Sequence, residues 1–320
     1  EINPAIINSH WICGGFLPIE SLANLKQPLV WTFHDMWALT GGCHYSGECD
    51  RYQQSFGSCP QLGIDRDWDL SRWIWRRKAN AWKDLNLTIV TPSKWLAACA
   101  QASTLFKNRV VKVIGNGIDP QIYQPHPNQV ARKLFRLPPD KQTILFGAVS
   151  ATKDMRKGFH YLMPALQKLE HFKTRDQVEL VIFGSSQPIN SPNFGFQTHY
   201  LGRLTDDISI ALLYSAVDVF IAPSVQENLS NTVMEALACG TPSVAFDIGG
   251  MSDLIEHQQN GYLATPYDTQ DLAGGIAWIL EKLERGQSLS NSATKKVIQE
   301  FTIEKQTKEY IKLYQEILAK

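Results

Sequence analysis

The sequence contains no apolar run near the roughly 18 residues that cross a bilayer, and its start, "EINPAIINSH", has neither the basic nor the apolar segment of a secretory signal. Charge of one sign is not in surplus. Lys plus Arg and Asp plus Glu both total 31, so no basic excess exists to follow a nucleic-acid backbone. Cysteine is scarce, at six in 320 residues, and neither a solenoid-length repeat nor a low-complexity tract is present. An initiator Met is missing too, which suggests a processed, trimmed or partial protein. The expectation is a cytoplasmic, water-soluble protein. Its 44% hydrophobic and 19% charged residues can bury two ordinary cores, and its length suggests about two domains.

Short β-rich segments alternate with helical patterns. "AIINSH" (5–10), "LVWTFH" (29–34), "TIVTPS" (88–93) and "VVKVIG" (110–115) come first, then a turn-rich stretch, "GNGIDPQIYQPHPNQ" (115–129). Six further strands follow: "TILFGAV", "VELVIFG", "THYLGRL", "VDVFIAPS", "TPSVAFD" and "GYLAT". Such alternation predicts α/β architecture with parallel sheets, complete and doubly wound in the second half. The first half shows only four strands and reads as incomplete at its N-terminus. A last helix, 302–320, carries an apolar stripe (Tyr310, Ile311, Leu313, Tyr314, Ile317, Leu318) that needs a surface to cover.

In an open parallel sheet, ligands bind outside the carboxyl ends of the strands, where the loop "APSVQENLSNTVMEALACGTP" (222–242) lies. Ser230 or Asn231 suits the N-cap of a helix through "TVMEALAC", whose first amides then form an anion site. Glu235, one turn in, can accept two hydrogen bonds from a ribose diol, and Glu227 faces what lies beyond a pyrophosphate. A plainer reading stays open, because the macrodipole favours glutamate near any helix start.

"ENLSNTVMEAL", "ACGTPSVAFDIGG" and "NGYL" resemble the Glu-x7-Glu region of retaining, nucleotide-sugar-dependent glycosyltransferases of the two-domain GT-B type, family 4. "TPSKWLA", "VIGNGIDPQIYQP", "RKGFHYLMPAL" and "LYSAVDVFIAPS" resemble other parts of that family, in the right order over nearly the whole chain. The resemblance implies two Rossmann-like domains: 1–118 on the acceptor side, a linker 119–140, a nucleotide-sugar domain 141–300, and a helix 301–320 returning to the first. It implies ribose binding by Glu235, a place beside the donor sugar for Glu227, and backbone contacts to sugar and phosphate from Leu229, Ser230, Asn231 and Thr232. Lys157, with Arg156 as its understudy, would neutralise the departing diphosphate, and His10 would reach the donor sugar. This sequence departs from the family at Ala148, where a second basic residue is common, so Lys153 is a further candidate for the diphosphate. Leu229-Ser230 stands where Phe-Gly is common.

Cys43, Cys49 and Cys59, with His44, fall in a loop after "TFHDMW" that resembles a Cys-rich insertion of many relatives. Free thiols, a structural zinc and a Cys49–Cys59 disulfide are three readings of this cluster. Cys99 and Cys239 sit in helical apolar patterns and are expected as small buried side chains. His34 ends its strand as a structural residue. In "WDLSRWIWRRKANAWKDL" (68–85), which mixes Trp73, Trp75 and Trp82 with Arg72, Arg76, Arg77 and Lys78, the tryptophans are expected to pack inward and the arginines to form a solvated face, although an anionic membrane surface would also suit the segment.

The reaction implied is transfer of a hexosyl group from a nucleoside diphosphate sugar to a hydroxyl acceptor in polysaccharide or lipid-linked glycan synthesis. The anomeric configuration is retained by front-side return, and the scheme requires no cofactor. Alternatives are a donor-binding but inactive homologue and a nucleotide-sugar epimerase. A nicotinamide oxidoreductase is disfavoured, since no G-x-G-x-x-G opens a βα unit.

Overall fold

A computed structural model describes residues 3–147, 154–173, 176–184, 186–187 and 192–319. Ala148 and Lys153, named above for the diphosphate, lie outside the described residues. The chain forms two compact units, Glu1–Gly115 with Gln306–Lys320, and Asn116–Lys305. Strands and helices are numbered in chain order.

In the first unit, β1 (Ile7–Ser9), β2 (Leu29–Thr32), β3 (Leu87–Thr91) and β4 (Val110–Val113) form a parallel sheet in sequential order. Every residue of β2 is buried, which explains why "LVWT" lacks the polar alternation of a one-sided strand. The connecting helices start where caps permit. Asp69 accepts from the Arg72 amide to open α1 (Leu70–Trp82), and Ser93 accepts from the Leu96 amide to open α2 (Lys94–Ala102). One sheet face packs Leu29, Trp31, Phe33, Trp82, Leu96 and Phe106 into the main core.

The 68–85 segment differs from its expected reading. Trp82 is buried, but Trp73 is 49% exposed, with the Arg77 guanidinium 4.6 Å from its ring centre. Lys78 is fully buried. Its ammonium donates to the carbonyls of Trp37 and Thr40 and lies 3.7 Å from the Trp37 ring centre, partners that no helical period reveals. Burial pushes the Lys78 amine down to about 7.

The second unit holds a six-stranded parallel sheet of β5 (Gln142–Gly147), β6 (Val178–Phe183), β7 (Gln197–Tyr200), β8 (Val219–Ala222), β9 (Ser243–Phe246) and β10 (Gly261–Ala264). The spatial order is β10-β9-β8-β5-β6-β7, so the winding reverses between β5 and β8. Residues 119–140, expected as a linker, include α3 (Asn128–Leu134) and lie within this unit. Buried Arg132 holds them there by bonding Asp218 at 2.6 Å and the Ala216 carbonyl at 3.0 Å. On one sheet face α4 (Phe159–Leu169) and α8 (Thr269–Glu284) pack, the latter capped by Asp268. On the other pack α5 (Asp207–Ala216), α6 (Asn231–Ala238) and α9 (Ser290–Glu300), with the short α7 (Met251–Leu254).

From Gln306 onward, α10 (Ile303–Leu318) belongs to the first unit. Leu313, with Tyr310, Tyr314 and Ile317, covers Val30, Val90 and Ile114 on the second face of that unit's sheet. Ile311 and Leu318, expected on the same stripe, are 49% and 57% exposed. No helix among the described residues is long and apolar enough to cross a membrane.

Candidate functional site

The winding reversal opens a crevice at the carboxyl ends of β5 and β8, and three strand-end loops are fastened together there. Gly158 has φ +71°, and a Cβ on it would lie 1.7 Å from the Pro223 carbonyl oxygen, so only glycine brings this turn against the end of β8. The Val225 amide donates to the Arg156 carbonyl at 2.9 Å. Gly249, at φ +54°, lets the loop after β9 close on the Glu227 carbonyl, where a Cβ would approach to 1.9 Å. The Gly250 amide donates to that same carbonyl at 3.2 Å.

This fastening sets the side chains. Lys157 Nζ lies 2.9 Å from Glu227 Oε2, and the Arg156 guanidinium donates to the same oxygen at 3.2 Å. Arg156 also pairs with Asp154 at 3.2 Å, and the Asp154 carboxylate accepts from the Arg156 amide. Two cations thus converge on one carboxylate that is only 9% exposed. Held so close together, Lys157 and Arg156 are arranged for a ligand with more than one negative charge.

Ser230 is the cap of α6: its hydroxyl accepts from the Val233 amide at 3.4 Å and bonds the Thr232 hydroxyl at 3.0 Å. Asn231 accepts from the Asn116 side chain at 3.0 Å, and Leu229 is buried. The first amides of α6 have no carbonyl partner within the helix and carry its positive pole. Glu235, one turn further, has a different setting from Glu227. Its Oε2 accepts from the Tyr214 hydroxyl at 3.2 Å, and burial pushes its carboxyl up to about 7. Tyr214 itself is fully buried and its phenol is held well above its ordinary value, first by burial and then by Glu235.

His10 lies in the first unit, where its Nδ1 is 2.9 Å from His34 Nε2 and the rings stack at 5.2 Å. Asn8 bonds the other His10 nitrogen at 3.2 Å. Partial burial holds both imidazoles below their ordinary value, and His10 lowers His34 further. His34, expected as a structural strand end, is therefore the ring that orients His10. Parallel pairing of β1 with β2 explains the meeting, since both strands run out at the same edge.

All six cysteines are free thiols, and among the described residues no three His, Cys, Asp or Glu are arranged to hold a metal ion. Burial, then the neighbouring Cys59 and Cys49, push the Cys43 thiol up to about 11. Cys43, Cys49 and Cys59 pack as thiols around the loop after β2. Cys99 and Cys239 are buried, as their helical patterns predict.

Tyr214, Asp154 and Gly249 belong to the site and were not singled out by sequence reasoning. Asp154 sits beside the basic pair in "KDMRKG", a local signal that could have been used; Tyr214 gives none, because its hydroxyl meets Glu235 only through the packing of α5 on α6.

Residues 141–282 match the family model of glycosyl transferases group 1. The chain is similar to an uncharacterized glycosyltransferase of Methanocaldococcus jannaschii, at 29% identity over 216 residues, or 64% of this chain and 53% of that relative. It spans about half the length of the curated relatives it matches. Its fold is similar to that of sucrose-phosphate synthase from Thermosynechococcus elongatus, with a TM-score of 0.73 at 21% identity over 98% of this chain and 74% of the other. It is also similar to Anabaena HepE in complex with UDP and glucose, with a TM-score of 0.64 at 20% identity over 91% of this chain and 72% of the other. Over residues 141–282, therefore, the second unit matches the glycosyl transferases group 1, and the chain's α/β fold is similar to that of GT-B glycosyltransferases.

Proposed function

We propose that the protein acts as a retaining glycosyltransferase that moves a hexosyl group from a nucleoside diphosphate sugar to a hydroxyl acceptor of a polysaccharide or lipid-linked glycan. The observation that carries this reading is the convergence of Lys157 and Arg156 on Glu227 beside the N-terminus of α6. The UDP and glucose held by HepE, a protein of similar fold, support it.

In this reading the diphosphate lies against the first amides of α6 and draws Lys157 and Arg156 away from Glu227, which is then released to accept from sugar hydroxyls. Glu235 takes the ribose. As the bond from the anomeric carbon to the diphosphate breaks, negative charge grows on the leaving oxygen, and a lysine about 4 Å away contributes roughly 4 kcal/mol at an effective dielectric of 20. Felt mainly in the transition state, that is worth about a thousandfold in rate. The acceptor oxygen bonds to the anomeric carbon from the face the diphosphate has left while its proton passes to the departing oxygen, so configuration is retained.

Thermal unfolding with UDP-, GDP- and ADP-sugars tests the donor assignment. One of them, at about 100 times its dissociation constant, adds roughly 2.7 kcal/mol of stability. Glu235→Ala removes that shift. A mutant that responds like the parent overturns the ribose assignment, and a parent that responds to no nucleotide sugar overturns the whole reading.

A further inference from the structure

Glu235 faces hydroxyl groups, a thiol and the Asp207 carboxylate rather than a set of cations. Tyr214 on α5 bonds its Oε2, Cys239 lies one turn along α6, and Tyr123, from the stretch before α3, bonds Asp207 at the start of α5. Tyr214 has no freedom to leave. Its carbonyl accepts from the Thr241 hydroxyl at 2.6 Å, and its ring meets Phe220 edge-on at 5.4 Å and Phe183 at 6.1 Å.

We infer that Tyr214 is the positioning residue of the ribose site: its hydroxyl pins Glu235 Oε2 so that the carboxylate presents both oxygens edge-on to a vicinal diol. The inference rests on the proposed donor reading and deepens it by naming the side chain that sets the orientation of the Glu235 carboxylate. A carboxylate oxygen has two lone pairs, so Oε2 can accept from the phenol and from one ribose hydroxyl while Oε1 accepts from the other. Without the phenol, the Glu235 side chain regains rotamer freedom about a buried charge. The loss falls on the diol and not on the phosphates, which other residues hold.

The same contact has an electrostatic consequence. The groups facing Glu235 are Tyr214 and Asp207 of α5, Tyr123, and Cys239 of its own helix. Burial above all holds the two phenols above their ordinary value and the Cys239 thiol up at about 12, so they stay neutral where Glu235 titrates. The Tyr214 bond favours the ionised carboxyl against its burial.

The test is Tyr214→Phe, which deletes one oxygen, titrated calorimetrically from pH 5.5 to 8.5. The probes are whichever of UDP, GDP and ADP binds the parent, and its 2′-deoxy counterpart. Three results are expected together: affinity for the ribonucleotide falls about tenfold or more, the preference for ribose over deoxyribose shrinks, and the pH midpoint of binding moves upward. Unchanged preference and midpoint, whatever happens to stability, overturn the inference while the donor reading stands. If the parent binds no nucleoside diphosphate, it is the donor reading that fails. Should Tyr214→Phe not fold, site-specific Tyr214→3-fluorotyrosine, a stronger donor of the same shape, decides: the midpoint moves down if the phenol positions Glu235 and stays if it does not.

Discussion

At the scale of single residues, the two glutamates of the Glu-x7-Glu stretch are chemically unlike. Glu227 is balanced by two cations, whereas Glu235 has only a phenol and is pushed up to about 7 by burial. Two consequences follow for pH. If Glu235 takes the ribose as proposed, it must be ionised to do so, and donor affinity is expected to weaken as pH falls through about 7, which calorimetry between pH 6 and 8 measures. For the empty protein the sign is opposite. A carboxyl raised from 4.5 to about 7 favours the fold when protonated, and that contribution is lost as pH rises through 7. Glu235→Gln is therefore expected to be more stable than the parent at pH 8, by roughly 1–3 kcal/mol, and to match it only below the unfolded carboxyl's 4.5, near about pH 4. At the other glutamate, Lys157→Ala leaves Arg156 to hold the diphosphate. Turnover of labelled donor is expected to fall about a hundredfold or more, with a smaller change in donor affinity.

Among the elements, the loops that carry the charged groups depend on backbone that cannot be rebuilt from other residues. Gly158→Ala places a Cβ at φ +71° against the Pro223 carbonyl. It is expected to cost more than about 1 kcal/mol and, by shifting the turn, to reduce activity as much as Lys157→Ala does. A Gly158→Ala protein with parent-like melting and turnover would show that the turn does not set the lysine. Ser230→Ala removes the cap of α6 at a cost of about 1 kcal/mol, read from denaturant midpoints.

The elements themselves were legible. All ten described strands fall within or beside the segments read from the sequence, and β2, β8 and β9, buried throughout, are legible because a buried parallel strand must be apolar. The Ser230 cap was legible for a similar local reason, since a serine just before a helical pattern can accept from the amides of its first turn. Lys78 was not. A lysine in a basic helical run reads as solvated, and only the carbonyls of Trp37 and Thr40, some forty residues away, make its burial tolerable. Tyr214 failed to stand out for the same reason, its hydroxyl being one of many until α5 packs beside α6.

On the scale of the whole molecule, the two units have separate cores, and α10 finishes the first of them with residues from the far end of the chain. Deleting residues 306–320 uncovers Val30, Val90 and Ile114 and is expected to cost the first unit about 4–8 kcal/mol. Calorimetry should show its transition lowered while that of the second unit stays, and a bound nucleoside diphosphate should raise only the latter.

What the sequence determined by itself is whatever depends on neighbours a few residues apart: the strands and helices, the cap of α6, and the eight-residue interval between Glu227 and Glu235. Only the tertiary structure decided which charges meet. Lys157 reaches Glu227, Tyr214 reaches Glu235 and His34 reaches His10 across 70, 21 and 24 residues of chain. Contacts of that range are set by how strands order themselves in a sheet and how helices lie upon it, and the physical chemistry of a linear pattern carries no distance of that kind.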